Sequence, residues 1–355
     1  MKILKHNMLR NTCLVMLCCL HGLTELRAQD IHFSQIQEAP LWLNPANAGF
    51  YNGYLRAVAN YRNQWASMGN AFQTMSFSFD AVTMKRRNKP AYLGVGMYVF
   101  NDKAGAAKLS TTQAQLHVSG VVRVGKGSRM SAGIYGGFSQ NNANYNALTY
   151  GSQYAGGKLD NTLASGETVN YTSFFNTDMG AGLNYEYSNK SIDLTRDDEF
   201  SLKIGAAVHH LAQPVQRFSS GSTYQLPMRF VGQISSRIDI KGSAISILPS
   251  IIYLRQASAS EINLGTQVRY RFKNGTKITG NKSEAGLSLG AYYRIGDAVI
   301  PQLMMDIGNY ALGFSFDYNV SRYKQVSRGM GGMEIYLKFM NLSDALFKRH
   351  REHGL

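Results

Sequence analysis

Apolar residues alternate with polar or small ones from Leu55 to Phe339, and this period restricts the fold more than any other property of the chain. Tyr310, Leu312, Phe314, Phe316 and Tyr318 share one face of their segment, while Ala311, Gly313, Ser315 and Asp317 share the other. A period of two marks a β-strand with one apolar face. The pattern returns in Met75, Phe77 and Phe79, in Ile262, Leu264, Val268, Tyr270 and Phe272, and in Leu287, Leu289, Ala291, Tyr293 and Ile295. Many strands of about ten residues, apolar outside and polar or glycine inside, predict an all-β fold: a transmembrane antiparallel β-barrel of an outer membrane.

About fourteen strands are expected, near 53–62, 72–82, 91–101, 111–123, 128–139, 173–187, 199–212, 228–239, 242–255, 260–272, 283–295, 298–307, 310–318 and 332–340. An even count places both termini on one side, expected to be the periplasm. The turns at Gly125–Ser128, Lys241-Gly242 and Gly308-Asn309 are tight, whereas the connection from Gln140 to Thr172 is the longest, as expected for periplasmic turns and outer loops. Met84–Pro90 and Ser188–Asp198 are long for periplasmic turns, and Gly296-Asp297 is short for an outer one.

Residues 1–28 have the form of a secretory signal, with Lys2, Lys5 and Arg10 before a short apolar stretch and Leu26-Arg27-Ala28 before the expected cleavage point. All three cysteines, Cys13, Cys18 and Cys19, lie inside it, so the mature barrel is expected to hold no disulfide and no thiolate metal site. The net charge of +15 falls to +12 once Lys2, Lys5, Arg10, Arg27 and Glu25 are removed. The basic residues are spread over strand ends and inward positions instead of forming one stripe, which argues against nucleic acid as a partner. Lys and Arg at a barrel's rims suit anionic lipid head groups. Residues 29–52 are expected to be an N-terminal plug or strand-entry segment, residues 53–340 the barrel, and residues 341–355 a basic periplasmic tail.

Several stretches together resemble one family. Gln29-Asp30 with Phe33-Ser34-Gln35, then Asn44-Pro45-Ala46 and Ala48-Gly49, open the resemblance. Tyr61-Arg62-Asn63-Gln64-Trp65, Ser76-Phe77-Ser78-Phe79-Asp80, Leu93-Gly94-Val95-Gly96 and Asn101-Asp102-Lys103-Ala104-Gly105 follow in order. His210-Leu211 before Gln213-Pro214, Gly313-Phe314-Ser315-Phe316-Asp317 and Glu334-Ile335 complete it. The chain resembles the PorP/SprF-type outer-membrane proteins of the Bacteroidetes type IX secretion system over nearly all of its mature length. It departs at Ile36, where a tyrosine often stands in the family. The resemblance implies a non-enzymatic role in export or surface anchoring of a secreted protein with a C-terminal sorting domain, such as a gliding adhesin. It also implies outer-membrane lipid, other type IX secretion components and a periplasmic peptidoglycan-associated protein as partners.

Candidate sites follow from local chemistry. Asn44, Pro45, Asn47 and Gly49 combine turn-capping amides, a fixed φ and a residue tolerant of positive φ, which suits a plug or strand entry, with a ligand hatch as the alternative. Trp65, at the end of the first strand, fits either an aromatic girdle or a partner contact. Tyr145, Tyr150, Tyr154, Tyr171, Arg217, Tyr224, Arg322 and Tyr323 fall in outer loops and are candidate partner contacts, because Tyr and Arg make large amphipathic contacts. His209 and His210, adjacent in an expected strand, point to opposite faces and cannot share a metal. No catalytic motif appears, so no enzyme activity, cofactor or metal is expected. A FadL-like transporter of hydrophobic small molecules and a general porin remain the alternatives. The first needs an apolar lumen and the second an open one.

Overall fold

The computed structural model describes residues 30–65, 72–85, 90–145, 148–160, 162–166, 171–189, 200–218, 224–273, 284–321, 324–327 and 329–341. The expected signal segment and basic tail lie outside these residues, apart from Asn341 at the start of the tail. The strands are β1 (Leu55–Gln64), β2 (Phe72–Thr83), β3 (Ala91–Ala104), β4 (Leu109–Gly125), β5 (Ser128–Asn144), β6 (Tyr171–Ser188) and β7 (Phe200–His209). They continue as β8 (Arg229–Asp239), β9 (Ile245–Gln256), β10 (Ala259–Lys273), β11 (Ala285–Arg294), β12 (Ala298–Ile307), β13 (Tyr310–Asn319) and β14 (Met330–Asn341).

Each strand pairs with its neighbour in sequence, and β1 closes on β14 to complete a fourteen-stranded antiparallel barrel. The closing register runs from Leu55↔Asn341 to Gln64↔Gly332, so both ends of the barrel chain reach one rim, the terminal rim. Closure leaves no sheet edge along most of the wall, a requirement for backbone placed in lipid. The alternation produces the expected two faces. Phe77, Leu116, Ile134, Leu183, Leu289, Leu312 and Phe314 are exposed on the outside. Asn60, Ser78, Gln115, Asn184, Gln233 and Ser315 are buried inside. Among the described residues no helix is long and apolar enough to cross a membrane.

The wall is uneven. β4, β5 and β6 have 17, 17 and 18 residues, while β7, β11, β12 and β13 have ten each. The extra length continues past the apolar belt at the far rim, where the outward positions of β5 change from Ile134 and Phe138 to Gln140, Asn142 and Asn144. These strands therefore run several residues beyond the expected 139 and begin before the expected 173, because pairing outlasts the apolar signal. β7 ends earlier than the expected 212: His210 has φ 59°, a left-handed conformation, and turns the chain inward. Both His209 and His210 are consequently buried inside the barrel, instead of pointing to opposite faces.

This early turn interrupts the wall. β5 pairs with β6 along its whole length, but β7 pairs only with Ala181–Ser188. Beside the far half of β6 lies an irregular excursion that includes the bridge Val215↔Gln225. It touches β6 through Leu211 N donating to Met179 O (3.0 Å) and through the Phe174 and Phe218 rings (4.9 Å).

Candidate functional site

The lumen is filled by residues 30–54, which hold three short helical turns, Ile36–Glu38, Pro40–Leu43 and Pro45–Asn47. Phe33, Ile36, Leu41, Trp42 and Leu43 form a core with Tyr98, Phe100, Val231 and Ile252 of the wall. The segment runs from the far half of the lumen, where Asp30 meets the ends of β8 and β9, to the terminal rim, where Tyr51 meets Asp80.

The Asn-Pro-Ala-Asn turn is seated against the wall by its amides. Asn44 Nδ2 donates to Leu183 O, Asn184 Oδ1 and Ala206 O at 3.1–3.2 Å, and its Oδ1 accepts from Ala46 N at 2.8 Å. Pro45 starts its turn as the first residue, where its missing N–H costs nothing. Asn47 Nδ2 donates to Pro40 O, while its Oδ1 accepts from Asn184 Nδ2 (3.1 Å) and Lys203 Nζ (2.6 Å). Gly49 takes φ 66° and donates its N–H to Asp80 Oδ2 (2.8 Å). The wall makes room by omitting side chains. A Cβ at Gly182 would lie 2.1 Å from Asn44 Oδ1, and one at Gly94 would lie 2.1 Å from Ala48 O.

Buried charges clamp the rest of the segment. Arg56 grips both oxygens of Asp80 at 2.9 Å and donates to Asn47 O at 3.0 Å. Glu334 accepts from the N–H groups of Ser34 (2.6 Å) and Gln35 (3.3 Å). Arg62 donates to His32 O and pairs with Asp317 (3.1 Å), which Arg294 also reaches at 3.4 Å. At the head of the segment, Asp30 Oδ2 meets Arg229 Nη1 (2.6 Å) and His210 Nε2 (2.7 Å), while His210 Nδ1 meets Asp178 (2.9 Å). Burial disfavours the imidazolium of His210, but Asp30 and Asp178 outweigh it and lift the group to about 9. Burial likewise opposes the Asp30 charge, yet His210 and Arg229 hold its carboxyl below the usual carboxylate range.

Arg62, Asp80, His210, Asp317 and Glu334 stand inside the motifs of the family resemblance, which give them no task. In the structure they are ligands of the segment that fills the lumen. For Arg62, Asp80, Asp317 and Glu334 the period-two placement on inward positions was the available signal, whereas His210 enters the lumen through a left-handed turn that the period does not announce. Asp30 stands in the Gln29-Asp30 motif, and Arg56 and Arg229 share the same inward period.

Above the head of this segment lies a vestibule of about 600 Å³ that reaches the far rim. Trp65 and Tyr224 line it, so Trp65 faces the vestibule and not an outer girdle. Tyr145 bonds to Phe218 O (3.3 Å) and accepts, through its carbonyl, from Tyr150 Oη (3.1 Å). Tyr154 begins a two-residue ladder with Leu159 and is exposed, as is Arg217. Tyr171 begins β6 opposite Asn144 through its backbone. Arg322 and Tyr323 lie outside the described residues.

The chain is similar to the CymD monoaromatic hydrocarbon channel at 11% identity and TM-score 0.43, covering 86% of this chain and 94% of that one. It is similar to a Pseudomonas aeruginosa FadL homologue at 10% identity and TM-score 0.47, with the same coverage of 86% and 94%. BamA from Haemophilus ducreyi lacking POTRA domains 1–3 matches at 9% identity and TM-score 0.40, over 81% of this chain and 70% of that one. No curated protein matches the sequence. The family described as type IX secretion system membrane protein PorP/SprF matches residues 25–339. With the closed barrel and its lipid-facing belt, that match makes the protein a multi-pass outer-membrane component: the chain belongs to the PorP/SprF family of type IX secretion system membrane proteins.

Proposed function

We propose that the barrel is a non-enzymatic docking platform at the cell surface for a secreted protein with a C-terminal sorting domain, and not the conduit for it. In this reading the terminal rim faces the periplasm and the far rim faces outward. The observation that carries it is the filled lumen: residues 30–54 occupy the barrel and are held by buried hydrogen bonds and ion pairs along their length. A folded domain of 100 residues is some 25 Å across, and barrels of 16–18 strands leave only an aqueous channel. The far rim offers contact surface instead, with the tall strands β4–β6 carrying Tyr145, Tyr150 and Tyr154 above the apolar belt. The charged lumen wall of Arg56, Arg62, Asp80, Asp317 and Glu334 weighs against a hydrophobic conduit.

Replacing residues 148–166 by a short Gly-Ser linker leaves the barrel ladder intact and removes Tyr150 and Tyr154 from this surface. The expected result is normal barrel assembly with loss of one surface protein, scored by mass spectrometry of whole-cell surface and medium. If every surface protein stays in place and in amount, the docking role of this loop is wrong.

A further inference from the structure

The vestibule has a wall chemistry that the docking reading leaves unused. Asp102 occupies an inward position of β3 and pairs in register with Thr74, whose Oγ1 donates to its carboxylate at 2.5 Å. Among the described residues no cation lies within ion-pair reach of Asp102. The other carboxylates near the vestibule differ: Asp30 meets both Arg229 and His210, and Asp178 meets His210. Lys103, the next residue of β3, is on the outward face.

Aromatic residues line the same vestibule as the carboxylate. Phe100 precedes it by two residues on the same face of β3, and Phe72 lies two residues before Thr74 in β2. Trp65 packs edge-on against Phe72 with ring centroids 5.1 Å apart. Trp65 also holds φ 57°, a conformation uncommon for a bulky side chain. Phe218 and Tyr224 line the same cavity.

We propose that this vestibule is a receptor pocket for a basic side chain, arginine or lysine, presented by a segment of the docked partner. The proposal rests on the docking reading and names the chemistry of its contact. A guanidinium gains from a carboxylate and from an aromatic face, and the Asp102 corner supplies both within one strand pairing. A volume of about 600 Å³ accommodates such a side chain with its flanking residues. Without the expected signal the chain carries +12, so a carboxylate outside any ion pair gives a basic segment a place to bind against a repulsive background, with Arg62 the cation acting on it.

The test uses the purified barrel in detergent and short blocked peptides, Gly-Arg-Gly and its citrulline counterpart. The chain has two tryptophans, of which Trp42 is buried and Trp65 lines the vestibule, so Trp65 emission reports occupancy. The expected result is a saturable change with the arginine peptide that weakens as salt is raised. The citrulline peptide should bind about tenfold more weakly, the scale of one charge-assisted contact. Asp102→Asn should erase that difference, while heat-modified gel migration confirms that the variant barrel is folded. Trp65→Phe should remove the optical signal while calorimetry still detects arginine-peptide binding. Equal binding of both peptides, no binding of either, or undiminished preference in Asp102→Asn overturns the pocket. The outcome is separable from the loop replacement: Asp102-dependent binding with an unchanged surface proteome leaves the pocket standing and the docking role of the 148–166 loop refuted. The reverse result refutes the pocket alone.

Discussion

At the scale of single residues, the lumen is specified by side chains that each serve several backbone groups. Asn44 is the clearest case, since one amide makes four hydrogen bonds and is fully buried. Asn44→Ala leaves the Leu183 and Ala206 carbonyls without that partner and should cost about 1–3 kcal/mol. A lower temperature for the folded-to-unfolded shift on gels checks it, and an unchanged temperature would show that the turn is held elsewhere. His210 gives a second prediction. Its group is raised to about 9, so its attraction to Asp30 and Asp178 is complete below its ordinary value of 6.5 and is lost as pH rises through about 9. Asp30 is held below its ordinary value, so its contribution is lost only in acid, as pH falls through the depressed value. A nitroxide on Ile31→Cys should therefore be immobile at neutral pH and loosen above about pH 9, with Arg229 still restraining Asp30. His210→Gln should make the label equally loose at neutral pH and abolish the alkaline change. These roles were hidden in the sequence because the partners are distant along it: Glu334 meets Ser34 across 300 positions and Arg62 meets Asp317 across 255. The motifs were visible as strings, but what they grip was not.

At the scale of elements, the period of two located all fourteen strands, because one face must be apolar toward lipid and the other must not. It located their ends less well. β5 and β6 continue through Gln140, Asn142 and Ser173, where outward positions are polar and only pairing in register defines the strand. β7 stops at a left-handed residue that no apolar pattern announces. The resulting gap makes a prediction about β6. Met179 O bonds to Leu211, so the odd-numbered residues of β6 turn their backbone groups toward β7. Thr177 and Ala181 share this direction and both face outward, but only Ala181 has a strand partner on that side, Val208. Proline is tolerated where the N–H serves no ladder bond. Thr177→Pro should therefore assemble near normally, whereas Ala181→Pro should lose a ladder bond, costing about 1–3 kcal/mol and assembling poorly. Folded-band yield after expression compares them, and equal damage would mean that β6 is paired along its far half as well.

At the scale of the whole molecule, the same alternation describes an open porin, a transporter and a plugged platform, which is why strand patterning left the three unresolved. What separates them is the content of the lumen, and residues 30–54 carry no periodic signal that would place them there; their helical turns are three to four residues long. Fourteen strands leave a lumen unless something fills it. Here Phe33, Leu41 and Trp42 fill its middle, with Arg229 stacked on Trp42 at 4.1 Å. The intact barrel should therefore conduct little or no current in planar bilayers. Removing residues 30–43 while keeping Asn44–Tyr54 leaves the turn seated on β5 and β6 and the Arg56–Asp80 clamp in place, so the wall should still close. The same deletion exposes Arg62, Arg229 and Glu334 to water across the upper lumen and should turn the barrel into a stable conducting pore. Because those groups stay fixed in the wall, the current should depend on salt and favour ions according to their charge. A wild-type barrel that already conducts steadily would return the open-lumen alternatives, and a deleted one that remains silent though folded would show that something other than residues 30–43 closes the lumen.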